Sequence, residues 1–158
     1  MNTLEWLEST ALAILVQESM WAYPLVLSLH AVGMSLLVGT IVVIDLRLLG
    51  VAKRAPVETF VQLIPVAWTG FIINAMTGAS LFIAGATTHY FNPAFRIKIA
   101  LIVVGGLTAW AFGPLVFRRT PHWPSDGSTP VSAKCLAGLS LAIWLGAITA
   151  GRLIAYIL

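Results

Sequence analysis

Residues 97–117 read IKIALIVVGGLTAWAFGPLVF, and this stretch decides the class of the chain. A bilayer-crossing helix needs about 20 apolar residues, and here Lys98 is the one charge. An ionisable group inside such a helix costs roughly 2.5–3.5 kcal/mol on insertion scales, so it faces a partner, a cavity or the lipid headgroups. Three other windows are equally apolar: 21–44, 63–86 and 135–158. The composition agrees. Of 158 residues, 59% are hydrophobic and 9% charged, where a globular domain carries about 25% charged residues.

The expected fold is therefore all-α, an integral membrane four-helix bundle making one membrane domain over 1–158. The net charge of +3 is spread over loops, and nothing resembles a nucleic-acid module, so no nucleic-acid partner is expected. Cys135 is the only cysteine, which excludes an intrachain disulfide and any multi-thiolate metal site. Breakers separate the windows: Pro56, Asn92-Pro93, and a run from Thr120 to Pro130.

Residues 1–19 hold Glu5, Glu8 and Glu18 without a Lys or Arg, unlike the basic start of a secretory signal. Leu4, Leu7, Ala11 and Leu15 fall near helical spacing with Trp6 alongside. This predicts an amphipathic interfacial helix lying along the membrane, with a disordered tail as the alternative.

Basic residues set the orientation. Arg47, Lys53 and Arg54 follow the first span, and Arg118, Arg119 and Lys134 follow the third; Arg96 and Lys98 stand against them. The positive-inside rule makes the first and third loops cytoplasmic and puts both termini outside. Small residues recur every fourth position (Ala31/Ser35/Gly39, Gly70/Asn74/Gly78, Gly105/Ala109/Gly113 and Gly138/Ala142/Gly146/Ala150), as close helix packing in lipid requires.

That orientation turns scattered residues into a layer. His30 lies about six residues below Pro24, Lys98 about five below Pro93, and Arg152 about six before the end of the chain. At about 1.5 Å per residue, all three sit roughly 7–9 Å below the outer helix ends. His89, in the outer HYFNP segment, can approach from above. A haem would take His30 as axial ligand and pair its propionates with Lys98 and Arg152. A quinone headgroup would use the same cations, and a copper ion would prefer His30 with Met34. The plainer alternatives are a hydrogen-bonding structural role for His30 and snorkelling of Lys98 and Arg152. Asp45, near the inner end, is expected to pair with Arg47, Arg118 or Arg119, with a proton-relay role as the alternative. Trp68, Trp110 and Trp144 read as packing residues, and Trp6, Trp21, Tyr23, Tyr90, Trp123 and Tyr156 as interfacial anchors.

His30 followed by Gly39 and Arg47-Leu48, with Lys98 in FRIKIALIV, resembles the small haem-linked membrane family containing HemJ-type protoporphyrinogen oxidases. The membrane part of copper-resistance D-type proteins is similar. That resemblance implies His30 as a haem ligand and Lys98 as a second functional residue. HAVG, DLRLLG, NPAFRIK and GRLIAY also resemble stretches of bacterial four-helix membrane proteins of unknown function. This places the chain in a bacterial inner membrane as a multi-pass protein.

The expected function is a b-type haem-binding membrane protein with an electron-transfer role near the outer face. His30 would bind the metal, with His89 or Lys98 opposite and Arg152 on a propionate. Its partners would be the lipid bilayer, the quinone pool or other membrane subunits, and a redox protein outside; a homo-oligomer is also open. A non-catalytic scaffold subunit of a larger complex is the alternative. So is a small transporter or metal-handling protein, for which Asn74 and Thr77 would contribute a polar path.

Overall fold

A computed structural model describes residues 2–51, 55–118 and 128–157. The expectations for Lys53, Arg54, Arg119, Trp123 and the proline run at 121–124 fall outside these residues. Eight helices are described: α1 Thr3–Glu8, α2 Ala11–Glu18, α3 Ala22–Leu49, α4 Val57–Val61, α5 Ile64–Ile83, α6 Ala86–Phe91, α7 Pro93–Leu115 and α8 Val131–Leu153. Four of them, α3, α5, α7 and α8, are long and apolar enough to cross a membrane. The protein is an all-α, multi-pass membrane bundle.

Local chemistry sets the helix ends. The first span runs to Leu49, beyond the expected Ile44, because Asp45 and Arg47 are buried in its last turns rather than marking its exit. Gly50 stops it at φ 105°, a left-handed conformation favourable to glycine, with its N–H on the Leu46 and Arg47 carbonyls. Pro93 opens α7 behind Asn92, whose side-chain oxygen accepts from the Ala94 and Phe95 amides at 2.9 and 3.2 Å. Asn92 also donates to the Ile154 and Ile157 carbonyls, tying the start of α7 to the end of α8. The segment expected as a loop around His89 is in part the helix α6.

The N-terminal segment is two helices rather than one. Ser9 and Thr10 turn their hydroxyls back onto the Trp6 and Leu7 carbonyls at 2.8 and 2.7 Å, and Thr10 caps α2. These local bonds compete with helix continuation and break it. α2 buries Ala13 and Val16 and packs against α3 and α5, while α1 lies against α6. The N-terminal segment, residues 87–95 and the end of α8 therefore gather at one end of the bundle.

The spans pack in the order α5, α3, α8, α7, with α3 and α8 central. α3 and α5 cross most closely at Gly33 and Gly70. A Cβ on Gly33 would meet the Asn74 amide nitrogen at 2.8 Å, and one on Gly70 would meet the Leu37 nitrogen at 2.5 Å. The expected stripe through Gly39 is not the packing face, since nothing lies within 4 Å of a Cβ built there. α5 and α7 make no extended contact with each other. Between them open an apolar cavity of about 360 Å³ toward the C-terminal half of α3 and a polar one at the other end. Trp144 is buried in the core, but Trp68 and Trp110 are 61% and 77% exposed and line the apolar cavity from α5 and α7 rather than filling the core.

Asp45 departs from expectation as well. It is fully buried, and neither carboxylate oxygen has a hydrogen-bond partner. Arg47 instead donates its Nε to the Ala55 carbonyl at 2.6 Å. The residues lie two apart on one helix, so they cannot face each other.

Candidate functional site

The second cavity, about 600 Å³, is enclosed by α3, α5, α6, α7 and α8. His30, His89, Lys98 and Arg152 all line it, so four residues from four helices meet in one space. No Asp or Glu joins them, and the remaining wall is largely apolar: Leu27, Met34, Leu81, Phe82, Phe95 and Ile148 among others. The volume lies within the 300–1,000 Å³ of small-molecule and cofactor sites.

His30 is the most firmly positioned of the four. Its Nδ1 lies 3.0 Å from the Thr77 hydroxyl. The same hydroxyl lies 2.6 Å from the Ile73 carbonyl and 3.2 Å from the Asn74 carbonyl, and the shorter contact assigns its single hydrogen to Ile73. With that assignment Thr77 accepts from Nδ1–H, and a neutral imidazole keeps its lone pair on Nε2. Asn74 donates to the His30 carbonyl at 2.9 Å, fixing the backbone from the same side. Both bonds depend on the Gly33–Gly70 crossing that brings α5 against α3. Gly78 completes the arrangement, because a Cβ there would lie 3.1 Å from the imidazole Cε1.

Asn74 and Thr77 were expected as part of a polar path across the membrane. In the structure their side chains are engaged in holding His30. Neither was legible as such from sequence, although the i, i+3 spacing places both on one helix face. Gly33, the last residue of HAVG, belongs to a quoted stretch, but its role as the contact point with α5 is visible only in the packing.

His89 is oriented in the same sense. Its Nδ1 donates to the Gly85 carbonyl at 2.5 Å, which can only accept, leaving Nε2 with the lone pair. The ring stands edge-on to Phe95, which stacks on Phe82. α6, which carries His89, is held by the N-terminal segment. The Thr87 amide and hydroxyl both donate to Glu8 Oε1, at 2.9 and 2.7 Å. These bonds favour the charged form and hold the Glu8 carboxyl below the usual carboxylate range, the hydroxyl contributing most.

The folded-state pKa of Glu8 being lowered, the tether is fully present above the ordinary carboxylate pKa and is lost as pH falls through the lower folded value. Amide exchange at Thr87, corrected for the intrinsic rate at each pH, should rise over that acidic window. Glu8→Ala should raise it at neutral pH too. Unchanged exchange in Glu8→Ala would leave α6 held by other contacts.

Lys98 packs its stem along Gly151 on α8, about 3.4 Å from where a Cβ would stand, and lies within electrostatic reach of His30. It has no hydrogen bond or ion pair among the described residues. Arg152 is the more exposed cation. It donates to the Tyr156 hydroxyl at 3.2 Å and lies over that ring at 5.5 Å, as an interfacial arginine does. Among the described residues no three His, Cys, Asp or Glu side chains converge. The arrangement offers one or two imidazole lone pairs, two cations and apolar walls.

No curated protein and no solved structure matches the chain. A family model does, over residues 3–157, and the chain belongs to DUF6644, a family of unknown function.

Proposed function

We propose that the polar cavity binds haem b and that the protein carries electrons near the outer face of a bacterial inner membrane. One observation supports this reading above the others. His30 lines an acid-free, cationic, apolar-walled cavity, with its Nδ1 held 3.0 Å from the Thr77 hydroxyl. A metal-ligating histidine characteristically donates its other N–H to such an acceptor.

The residues present fit the group. His30, with His89 or Lys98, would hold the iron. Arg152, with Lys98 where it is not a ligand, would neutralise the propionates. Bound haem would supply one-electron chemistry. The chain's own residues would orient the ligating nitrogen, exclude carboxylates and set the local positive field. A quinone pool on the lipid side and a redox protein outside are the partners this placement suits. The resemblance carried by His30, Gly39, Arg47-Leu48 and Lys98 points the same way.

A visible absorption spectrum of protein purified from haem-replete cells tests the proposal. A Soret band supports it. Colourless protein would overturn it and favour a scaffold subunit.

The orientation is part of the same reading and has its own test. A single cysteine at Thr88, exposed at the cavity rim, should react with an impermeant reagent added outside, once Cys135 is replaced by serine. Reaction only in inverted vesicles would reverse the topology.

A further inference from the structure

We propose that α6 is a lid on the polar cavity and that the N-terminal helices α1 and α2 are the latch that keeps it shut. The latch regulates the site to which haem is assigned above, and so it rests on that cavity being a binding site, whatever the ligand.

α5 and α7 make no extended contact, and the six-residue α6 is the piece that joins their ends. The chain leaves helical geometry on both sides of it, at Gly85 (φ −150°, ψ 46°) and at Asn92 (φ −72°, ψ 119°). α6 is therefore a short body between two joints rather than a continuation of either span. Thr88 and His89 line the cavity from it. Phe82 on α5 stacks on Phe95 on α7 with ring centroids 5.3 Å apart, and the His89 ring stands edge-on to Phe95 at 5.7 Å. Together α6 and this ring pair bridge the α5–α7 gap at the level of the cavity.

A helix this short does not hold itself, since isolated helices below about 12–15 residues are marginal even in favourable sequences. The position of α6 comes from its neighbours. At the Asn92 joint the side chain donates to the Ile154 and Ile157 carbonyls at the end of α8. On the Gly85 side the bonds come from the N-terminal segment. Gln17 of α2 donates to the Ala84 carbonyl at 2.6 Å, and Glu8 of α1 accepts from the Thr87 amide and hydroxyl at 2.9 and 2.7 Å. All three bonds are exposed or only partly buried, so water can replace them without opening the core. Elements of such low local stability are the ones from which lids are drawn. His30, by contrast, is held by Thr77 and Asn74 inside the α3–α5 pair, while Lys98 and Arg152 sit on spans. Releasing the latch therefore lets α6 swing about the Asn92 joint, taking His89 out of the cavity and leaving the other three groups in place.

Thiol labelling of the purified full chain tests this, with Cys135 replaced by serine. Ala147 is buried and lines the cavity, so Ala147→Cys reports the entry of N-ethylmaleimide. Glu8→Ala and Gln17→Ala should each raise the labelling rate by about three- to tenfold, as loss of a surface hydrogen bond shifts a local opening, and together by more. Thr87→Val, which removes the hydroxyl donor and keeps the amide, should give a smaller rise than Glu8→Ala. Ser140→Cys, fully buried and lining neither cavity, is the control and should keep its rate. Three results would overturn the proposal: a rate at position 147 unchanged in the double variant, a rise matched at Ser140→Cys, or labelling with the latch intact as fast as in denatured protein. Soret absorbance of the same samples tests the haem reading separately. Colourless protein whose labelling follows the latch keeps the lid and sinks the haem, and haem-bearing protein whose labelling ignores the latch does the reverse.

Discussion

His30→Ala should abolish the Soret absorption of the purified protein while leaving its helical content and micelle behaviour intact. The side chain is buried, but its removal leaves no charge stranded, and Thr77 keeps its bond to the Ile73 carbonyl. The loss should therefore be specific to haem. Thr77→Val sharpens the test. It retains the ligand but removes the acceptor for Nδ1–H, and second-shell changes of this kind typically weaken metal binding by about 10–100-fold. Arg152→Ala should instead weaken haem retention by about 1.5–3 kcal/mol, the worth of a charge-assisted hydrogen bond to a propionate. Lys98→Ala separates two roles. An altered spin state assigns it to the iron, whereas weaker retention with the same spectrum assigns it to a propionate. An unchanged spectrum in His30→Ala would sink the haem reading.

The fold was largely legible because hydropathy over about 20 residues is a strong signal and each span carries it. The bringing together of His30, His89, Lys98 and Arg152 was legible through depth alone, since antiparallel spans convert sequence distance from a helix end into height. Rotation about each helix axis was not legible, and it explains the misses. Small residues occur on several faces of α3, so the Gly39 stripe looked as good as Gly33, and only the neighbouring helix distinguishes them. Trp68 and Trp110 read as core because hydropathy does not distinguish a buried indole from one that lines an open apolar cavity. Of the arginines expected for Asp45, Arg47 is close in sequence but turned away by helical geometry, Arg118 makes no bond to it, and Arg119 lies outside the described residues. The Gly70/Asn74/Gly78 stripe marks the face of α5 that carries Asn74 and Thr77, but which side chains of α3 that face meets is set only by the crossing.

Gly70→Ala should produce the largest structural loss of a methyl group added at any of the described helical glycines. Its Cβ would lie 2.5 Å from the Leu37 nitrogen, 2.7 Å from the Gly33 carbonyl oxygen and 2.8 Å from the Leu36 Cβ. Two of these are backbone atoms of the facing helix, so no rotamer change relieves the clash and α3 and α5 must separate. Overpacking of a well-filled interface typically costs about 1–3 kcal/mol, and the rigid partners here place the change at the upper end. The separation should also slacken the Asn74 bond to the His30 carbonyl and the Thr77 bond to Nδ1, lowering haem retention along with stability. Gly39→Ala is the control, since nothing lies within 4 Å of its Cβ. It should be neutral or stabilising by up to about 0.5–1 kcal/mol from helix propensity alone. Unfolding in mixed micelles, followed by helical signal and by Soret intensity in parallel, measures both effects. If Gly70→Ala unfolds like Gly39→Ala, the α3–α5 crossing is looser than described, and the positioning of His30 must come from elsewhere.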